Sequence, residues 1–165
     1  MHTLEQIARL LVYFPETGEF YWTQHAYCRM RGKRAGTTIL KGYRIIQIEQ
    51  ERYLEHRLAW LLMTGDWPAD ELDHRDRNRA HNVWSNIRPA THKQNMENVP
   101  RRKDNLSGVR GVYRRPYQKW GAFITHDGIQ VHLGTFSTFD AAVAARLAAE
   151  RGIYTHSEVA DGRGP

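Results

Sequence analysis

Residues 99–108, VPRRKDNLSG, break the chain in two. The tract is polar, holds Pro100 and Gly108, and has no apolar periodicity, so neither a helix nor a strand is expected to run through it. It reads as a domain boundary. With 165 residues in all, each side has room for only a small module. A deep multilayer enzyme core is excluded, and any chemistry must work with little scaffold.

The break also sits in the densest charge of the sequence. Between Lys93 and Lys119 stand Lys93, Arg101, Arg102, Lys103, Arg110, Arg114, Arg115 and Lys119, opposed only by Glu97 and Asp104. The net +6 of this stretch equals the net charge of the whole chain. A solvated basic linker explains such a run, and so does a segment that tracks phosphates between two modules. Hydrophobic residues at 41% and charged residues at 25% indicate a folded chain. No run of about 18 apolar residues exists, so no membrane partner is expected. The start, MHTLEQIARLL, has no basic n-region and no small-residue cleavage site, and is not expected to be a secretory signal. Cys28 stands alone, which excludes an internal disulfide and zinc sites built on paired thiolates, and predicts a reducing, cytoplasmic compartment.

Residues 1–68 open with a short amphipathic helix carrying Leu4, Ile7, Leu10 and Leu11 on one face. A turn at 15–18 leads into a strand over 19–22. Residues 42–54 read as a hairpin with a polar tip at Glu49–Glu51, and His56 to Met63 as a buried helix stopped by Gly65 and Pro68. His56 and Arg57 could touch a phosphate or tie this helix to its neighbours. No constellation in this piece converts into chemistry.

Residues 107–156 predict three short strands, at 109–115, 119–126 and 129–136, then an alanine-rich helix ending at Gly152. Asp127-Gly128 is a tight-hairpin signal, and Ser137 with Asp140 resembles a capping box. Trp120, Ala122, Ile124, Val131 and Leu133 are expected under the helix. The other face then shows Tyr113, Arg115, Phe123, Thr125, Gln130 and His132, suited either to a DNA groove or to a protein partner.

Residues 72–98 hold the chemistry. Asp73 and His74 close an apolar approach and open a polar loop; Asn82 and Asn86 are four apart; residues 91–99 read as a helix with Asn95 and Asn98 on one face. Phosphodiester hydrolysis needs a base for water and a hard cation for the phosphate and leaving oxygen. Neutral imidazole suits the first task. Carboxylate and amide oxygens suit the second. Adjacent on a strand, Asp73 and His74 point to opposite sides, so one can bind metal while the other faces water.

Asp73-His74 with Asn82, Asn86 and Asn95, at offsets of 8, 12 and 21 from His74, resembles the HNH homing endonucleases of phage and group I intron type. The lead-in at 56–68, HRLAWLLMTGDWP, is similar to theirs. Residues 107–112 (SGVRGV), 119–124 (KWGAFI), 132–136 (HLGTF) and the alanine-rich helix resemble the plant ethylene-response-factor (APETALA-type) DNA-binding domain. The resemblance implies an α+β chain: a ββα-metal nuclease module followed by a three-stranded antiparallel sheet packed on one helix. It divides the chain into 1–68 leading into the nuclease, 69–99 as its core, 100–106 as a basic linker, 107–156 as the DNA-binding domain and 157–165 as a tail.

By the same resemblance His74 is the general base, Asn86 orients its imidazole, Asp73 and Asn95 hold one Mg²⁺ or Mn²⁺, with no zinc, and Asn82 braces the loop joining the strands. The resemblance implies contacts to double-stranded DNA at Arg110, Tyr113, Arg115, Tyr117, Phe123, Gln130 and His132, and the basic tract adds Arg101, Arg102, Lys103 and Lys119. The implied activity is metal-dependent cleavage to 5′-phosphate and 3′-hydroxyl ends by a monomer. Arg77 stands where the family has glycine, which leaves open whether the loop after His74 keeps its path. A non-catalytic DNA-binding regulator with a degenerate nuclease module is the alternative. A structural nucleic-acid-packaging protein explains the basic tract but none of the asparagine spacing.

Overall fold

Thr3 starts the first helix with a reciprocal cap: its hydroxyl accepts from the Gln6 amide while the Gln6 side chain accepts from the Thr3 amide. The computed structural model describes residues 2–98 and 105–156, in two compact units that divide between Thr91 and His92. Helix α1 (Leu4–Leu10) buries Ile7 completely. Leu11, expected on the helix face, instead begins strand β1 (Leu11–Phe14), which pairs antiparallel with β2 (Glu19–Trp22). The run LLVYF satisfies both periods. Burial of Leu11 and Tyr13, with Val12 and Phe14 outside, shows that the two-residue period prevails.

Strands β3 (Thr37–Thr38), β4 (Arg44–Ile48) and β5 (Glu51–Leu54) form a second antiparallel sheet in that order. Glu49, at the tip of the β4–β5 hairpin, takes φ +54°. Helix α2 (Glu55–Thr64) follows β5 directly and stops at Gly65, whose φ of +91° supplies a left-handed cap. Strands β6 (Glu71–His74) and β7 (Ile87–Ala90) pair antiparallel. Ile7, Leu11, Phe20, Ile46, Ile48, Leu58, Leu61, Leu72 and Ile87 share one core. Each large side chain so buried contributes about 1.5–3 kcal/mol. Residues of the first 68 and of the β6–β7 hairpin share this core within the first unit.

The second unit holds α3 (His92–Glu97), then β8 (Val112–Arg114), β9 (Trp120–His126) and β10 (Ile129–Phe136) with β9 central, and α4 (Phe139–Ile153). Asp127 and Gly128 both take positive φ, +51° and +76°, as a type I′ hairpin turn requires. The cap of α4 is Thr138, which accepts from the Ala141 amide, not Ser137. Ala122, Ile124 and Ala142 are buried and Trp120 and Leu133 pack nearby, but Val131 on the edge strand remains 46% exposed instead of lying under the helix. Among the described residues no helix is long and apolar enough to cross a membrane.

Candidate active site and nucleic-acid interface

Strand alternation separates the two residues expected to do the chemistry. Leu72 and His74 point inward and are buried, while Asp73 faces the other way and is largely buried. Asp73 lies directly opposite Arg88 in the β6–β7 register. The Arg88 Nε and Nη2 both donate to Asp73 Oδ2, at 3.0 and 2.8 Å. With side chains only 7% and 11% exposed, this is a desolvated, charge-assisted pair. It fixes the direction of the Asp73 carboxylate.

His74 is 4% exposed and its Nε2 lies 3.0 Å from Asn82 Oδ1. The His56 ring meets it edge-on at 5.0 Å. Burial pushes the His74 pKa below its ordinary value, opposed by the Asn82 hydrogen bond and the nearby Asp76 and Asp73 charges. The ring is neutral at pH 7, the state a general base needs. His56, more deeply desolvated and beside His74 and Arg57, is lowered to about 3. Arg57 donates to the Pro68 carbonyl, so the His56–Arg57 pair ties α2 to its surroundings.

The two asparagines make different contacts. Asn82, not Asn86, bonds the imidazole. Asn86 instead closes the short 3₁₀ turn Trp84–Asn86 and bonds back into the loop. Its Oδ1 accepts from the Asp76 amide, and its Nδ2 donates to Asp76 Oδ1 and to the His81 carbonyl. The reason is positional: the Asn86 carbonyl accepts from Arg75 at the strand end, which leaves its side chain against residues 76–81 rather than on the inward face of β6. Asp76, though partly desolvated, is held below the usual carboxylate range by His81, the Asn78 amide and Asn86. Arg77 takes φ +63°, so the loop adopts at this position the left-handed turn that glycine favours.

Asn82 is held from three sides. The Tyr13 hydroxyl donates to its carbonyl at 2.8 Å. Gly18 (φ +72°) packs so close that a Cβ there would lie 2.4 Å from the Asn82 carbonyl carbon. Its own Nδ2 donates to Glu55 Oε2 at 2.9 Å, and Arg44 Nε donates to both Glu55 oxygens at 3.0 and 2.9 Å. Tyr13, Gly18, Arg44 and Glu55 all come from the part of the chain that its sequence alone leaves without chemistry. Arg88 also escapes a linear reading, because only the strand register sets it opposite Asp73.

The implied metal ligands are distributed over both units. Asp73 belongs to the first, and Asn95, half-buried on α3, to the second. Their donor atoms, a carboxylate and an amide oxygen, suit a hard cation that keeps water and open positions. Among the described residues no three His, Cys, Asp or Glu side chains gather as cation ligands. Cys28 is exposed in a 3₁₀ turn of the first unit.

In the second unit, Tyr113, Arg115, Phe123, Gln130 and His132 line one open groove on a face of the sheet. The Tyr113 ring rests on Gly121, where a Cβ would come within 2.5 Å of it. Arg115 lies over that ring at 6.0 Å and donates to Thr135 Oγ1. Tyr117 is 94% exposed at the turn before Lys119, which is exposed too. The Arg110 guanidinium donates to the Met96 and Glu97 carbonyls and stacks near Tyr154, which holds the end of α3 within this unit. Arg101, Arg102 and Lys103 lie outside the described residues.

Residues 53–97 match the family model of HNH endonuclease. The matched segment runs from β5 to the end of α3 and contains Glu55, Asp73, His74, Asn82, Asn86 and Asn95. No curated protein matches the chain. Among solved structures the chain is similar to the HNH homing endonuclease I-HmuI, described for DNA binding and cleavage, at 22% sequence identity and a TM-score of 0.44. That match covers 58% of this chain and 55% of the other, so the chain spans about half the length of that relative.

Proposed function

We propose that the protein is a metal-dependent DNA endonuclease of the homing type, acting as a monomer on double-stranded DNA. The observation that carries this reading is the buried, neutral imidazole of His74 held by Asn82, inside the segment that matches HNH endonuclease. His74 accepts the proton of the attacking water. The water oxygen bonds to phosphorus, the bond from phosphorus to the 3′ oxygen breaks with its electron pair left on that oxygen, which takes a proton from solvent water, and the products carry 5′-phosphate and 3′-hydroxyl ends. Asp73 and Asn95 would hold one Mg²⁺ or Mn²⁺, which when bound would draw charge from the phosphate and the leaving oxygen. Asn82 orients the imidazole, and Asn86 keeps the loop in shape.

The C-terminal unit is proposed as an APETALA-type domain, with a three-stranded sheet packed on one helix. Tyr113, Arg115, Phe123, Gln130 and His132 face DNA, and Tyr117 and Lys119 flank them. Arg101, Arg102 and Lys103 supply phosphate contacts on the way. The Asp73–Arg88 pair is the one observation that favours the alternative, a non-catalytic DNA-binding regulator, because a carboxylate already neutralised by arginine binds a cation less readily. Supercoiled plasmid incubated with Mg²⁺, with Mn²⁺ and with EDTA separates the two. Metal-dependent relaxation, with ends that ligase reseals, supports the nuclease. Tight binding without cleavage under either metal supports the regulator.

A further inference from the structure

The hydrogen bonds behind His74 run in one direction. Arg44 is a donor only, and both oxygens of Glu55 accept from its Nε. Its Nη2 is anchored on the Ala35 carbonyl at 3.1 Å. Glu55 is 1% exposed, and the turn beside it leaves no room for a side chain, since a Cβ on Gly36 (φ +83°) would fall within 2.1 Å of Glu55 Oε1. An ionised carboxylate can only accept, so Asn82 must present its NH₂ to Glu55 Oε2. That choice fixes the other end of the amide. Asn82 Oδ1, an acceptor, is left facing His74 Nε2 at 3.0 Å. A neutral imidazole carries one N–H, and an acceptor opposite Nε2 requires it there.

We propose that Arg44 and Glu55 are positioning residues that set the tautomer of His74 through Asn82, holding the proton on Nε2 and the basic lone pair on Nδ1. The inference deepens the reading of His74 as the base and rests on it for its consequence. Neither Arg44 nor Glu55 touches the reacting atoms. Glu55 reaches Asn82 across 27 residues of sequence, and the Asn82 amide bridges it to His74. Arg44 is needed because burial pushes the Glu55 carboxyl up and the guanidinium opposes it. A protonated Glu55 could donate to Asn82 and turn the amide around.

The chain of donors and acceptors predicts its own inversion. In Glu55→Gln, Arg44 takes the single carbonyl oxygen, so the glutamine offers its NH₂ to Asn82. The Asn82 amide turns, its own NH₂ faces His74 Nε2, and the imidazole proton moves to Nδ1. Adding Asn82→Asp restores an acceptor toward both neighbours and returns the proton to Nε2.

Long-range ¹H–¹⁵N correlation spectra of the uniformly ¹⁵N-labelled full chain, with His74 assigned by the signal lost in His74→Gln, read the tautomer directly. The expected result is the Nε2–H pattern in the wild type, Nδ1–H in Glu55→Gln, and Nε2–H again in Glu55→Gln/Asn82→Asp. Plasmid cleavage by Glu55→Gln should fall in kcat by about 10²–10⁴-fold with KM little changed, the scale of a wrong-tautomer histidine, and recover in the double variant. A wild-type Nδ1–H pattern overturns the proposal whether or not any variant folds, and so does an unchanged Nε2–H pattern in folded Glu55→Gln. The expected tautomers in a protein that cleaves nothing leave the relay standing and remove the nuclease reading instead.

Discussion

The Asp73 carboxylate and the Arg88 guanidinium face each other across the β6–β7 ladder with an Nη2–Oδ2 distance of 2.8 Å, both almost out of water. Breaking such a pair from one side leaves a largely buried charge without its ion-pair partner. Arg88→Met should lower stability by about 3–5 kcal/mol. Adding Asp73→Asn should recover a large part of that loss, giving a coupling in a double-mutant cycle read by urea denaturation. Additive single effects would show that the pair contributes nothing.

Two buried histidines give the fold a definite pH dependence. His56 is lowered to about 3 by burial, His74 and Arg57, and its Nδ1 has no hydrogen-bond partner among the described residues. His74 is lowered too, chiefly by burial. The unfolded chain binds these protons near pH 6.5 and the folded chain does not. The stabilisation from His56 is therefore present above pH 6.5 and lost as pH falls toward about 3, at about 1.4 kcal/mol per pH unit, and the lowered His74 adds a loss of the same sign. Urea midpoints between pH 7.5 and 4.5 should fall accordingly. In His56→Phe, which keeps a ring and removes the orphaned nitrogen, the slope should become shallower by about 1.4 kcal/mol per pH unit.

Gly18 and Gly65 both take left-handed backbone conformations, yet they should respond differently to alanine. At Gly65 nothing lies within 4 Å of the place a methyl would occupy, whereas at Gly18 the methyl would meet Asn82 and Val83 backbone at 2.4 Å. Gly65→Ala should cost only the conformational strain, about 1–2 kcal/mol. Gly18→Ala should cost that and about 1–3 kcal/mol more for the clash, and it should shift the His74 ring signals in NMR spectra by displacing Asn82. Equal costs at the two sites would show that the Gly18–Asn82 contact does not constrain the loop.

On the sheet of the second unit, Arg115 and Arg110 part company. Arg115 lies on the open face with Tyr113, whereas Arg110 is bonded to the end of α3. Arg115→Ala should weaken DNA binding and reduce the slope of log K against log[salt] by about 1. Arg110→Ala should leave that slope in place and lower thermal stability. An unchanged slope in Arg115→Ala takes that residue off the interface.

What the sequence made legible was local. Asp127 with Gly128, and Gly65 after an apolar run, each specify a turn or cap within a few residues, and the β9–β10 hairpin and the end of α2 form accordingly. Asp73 and His74 also read correctly as facing opposite ways, because alternation needs only the strand. What stayed hidden depends on pairing across distance. Arg88 meets Asp73 through a register set 15 residues away, and Glu55 reaches Asn82 across 27 residues. Asn82 and Asn86 look alike in spacing, and only the path of the loop between β6 and β7 decides which one reaches the imidazole.

Relaxation of supercoiled plasmid by the wild type and by His74→Ala, side by side in Mg²⁺ and in Mn²⁺, tests the role of His74 most directly. The wild type should cleave in a metal-dependent way, and His74→Ala should lose about 10²-fold or more in rate at unchanged DNA affinity. Equal cleavage by the two proteins would contradict the assignment of His74 as the base.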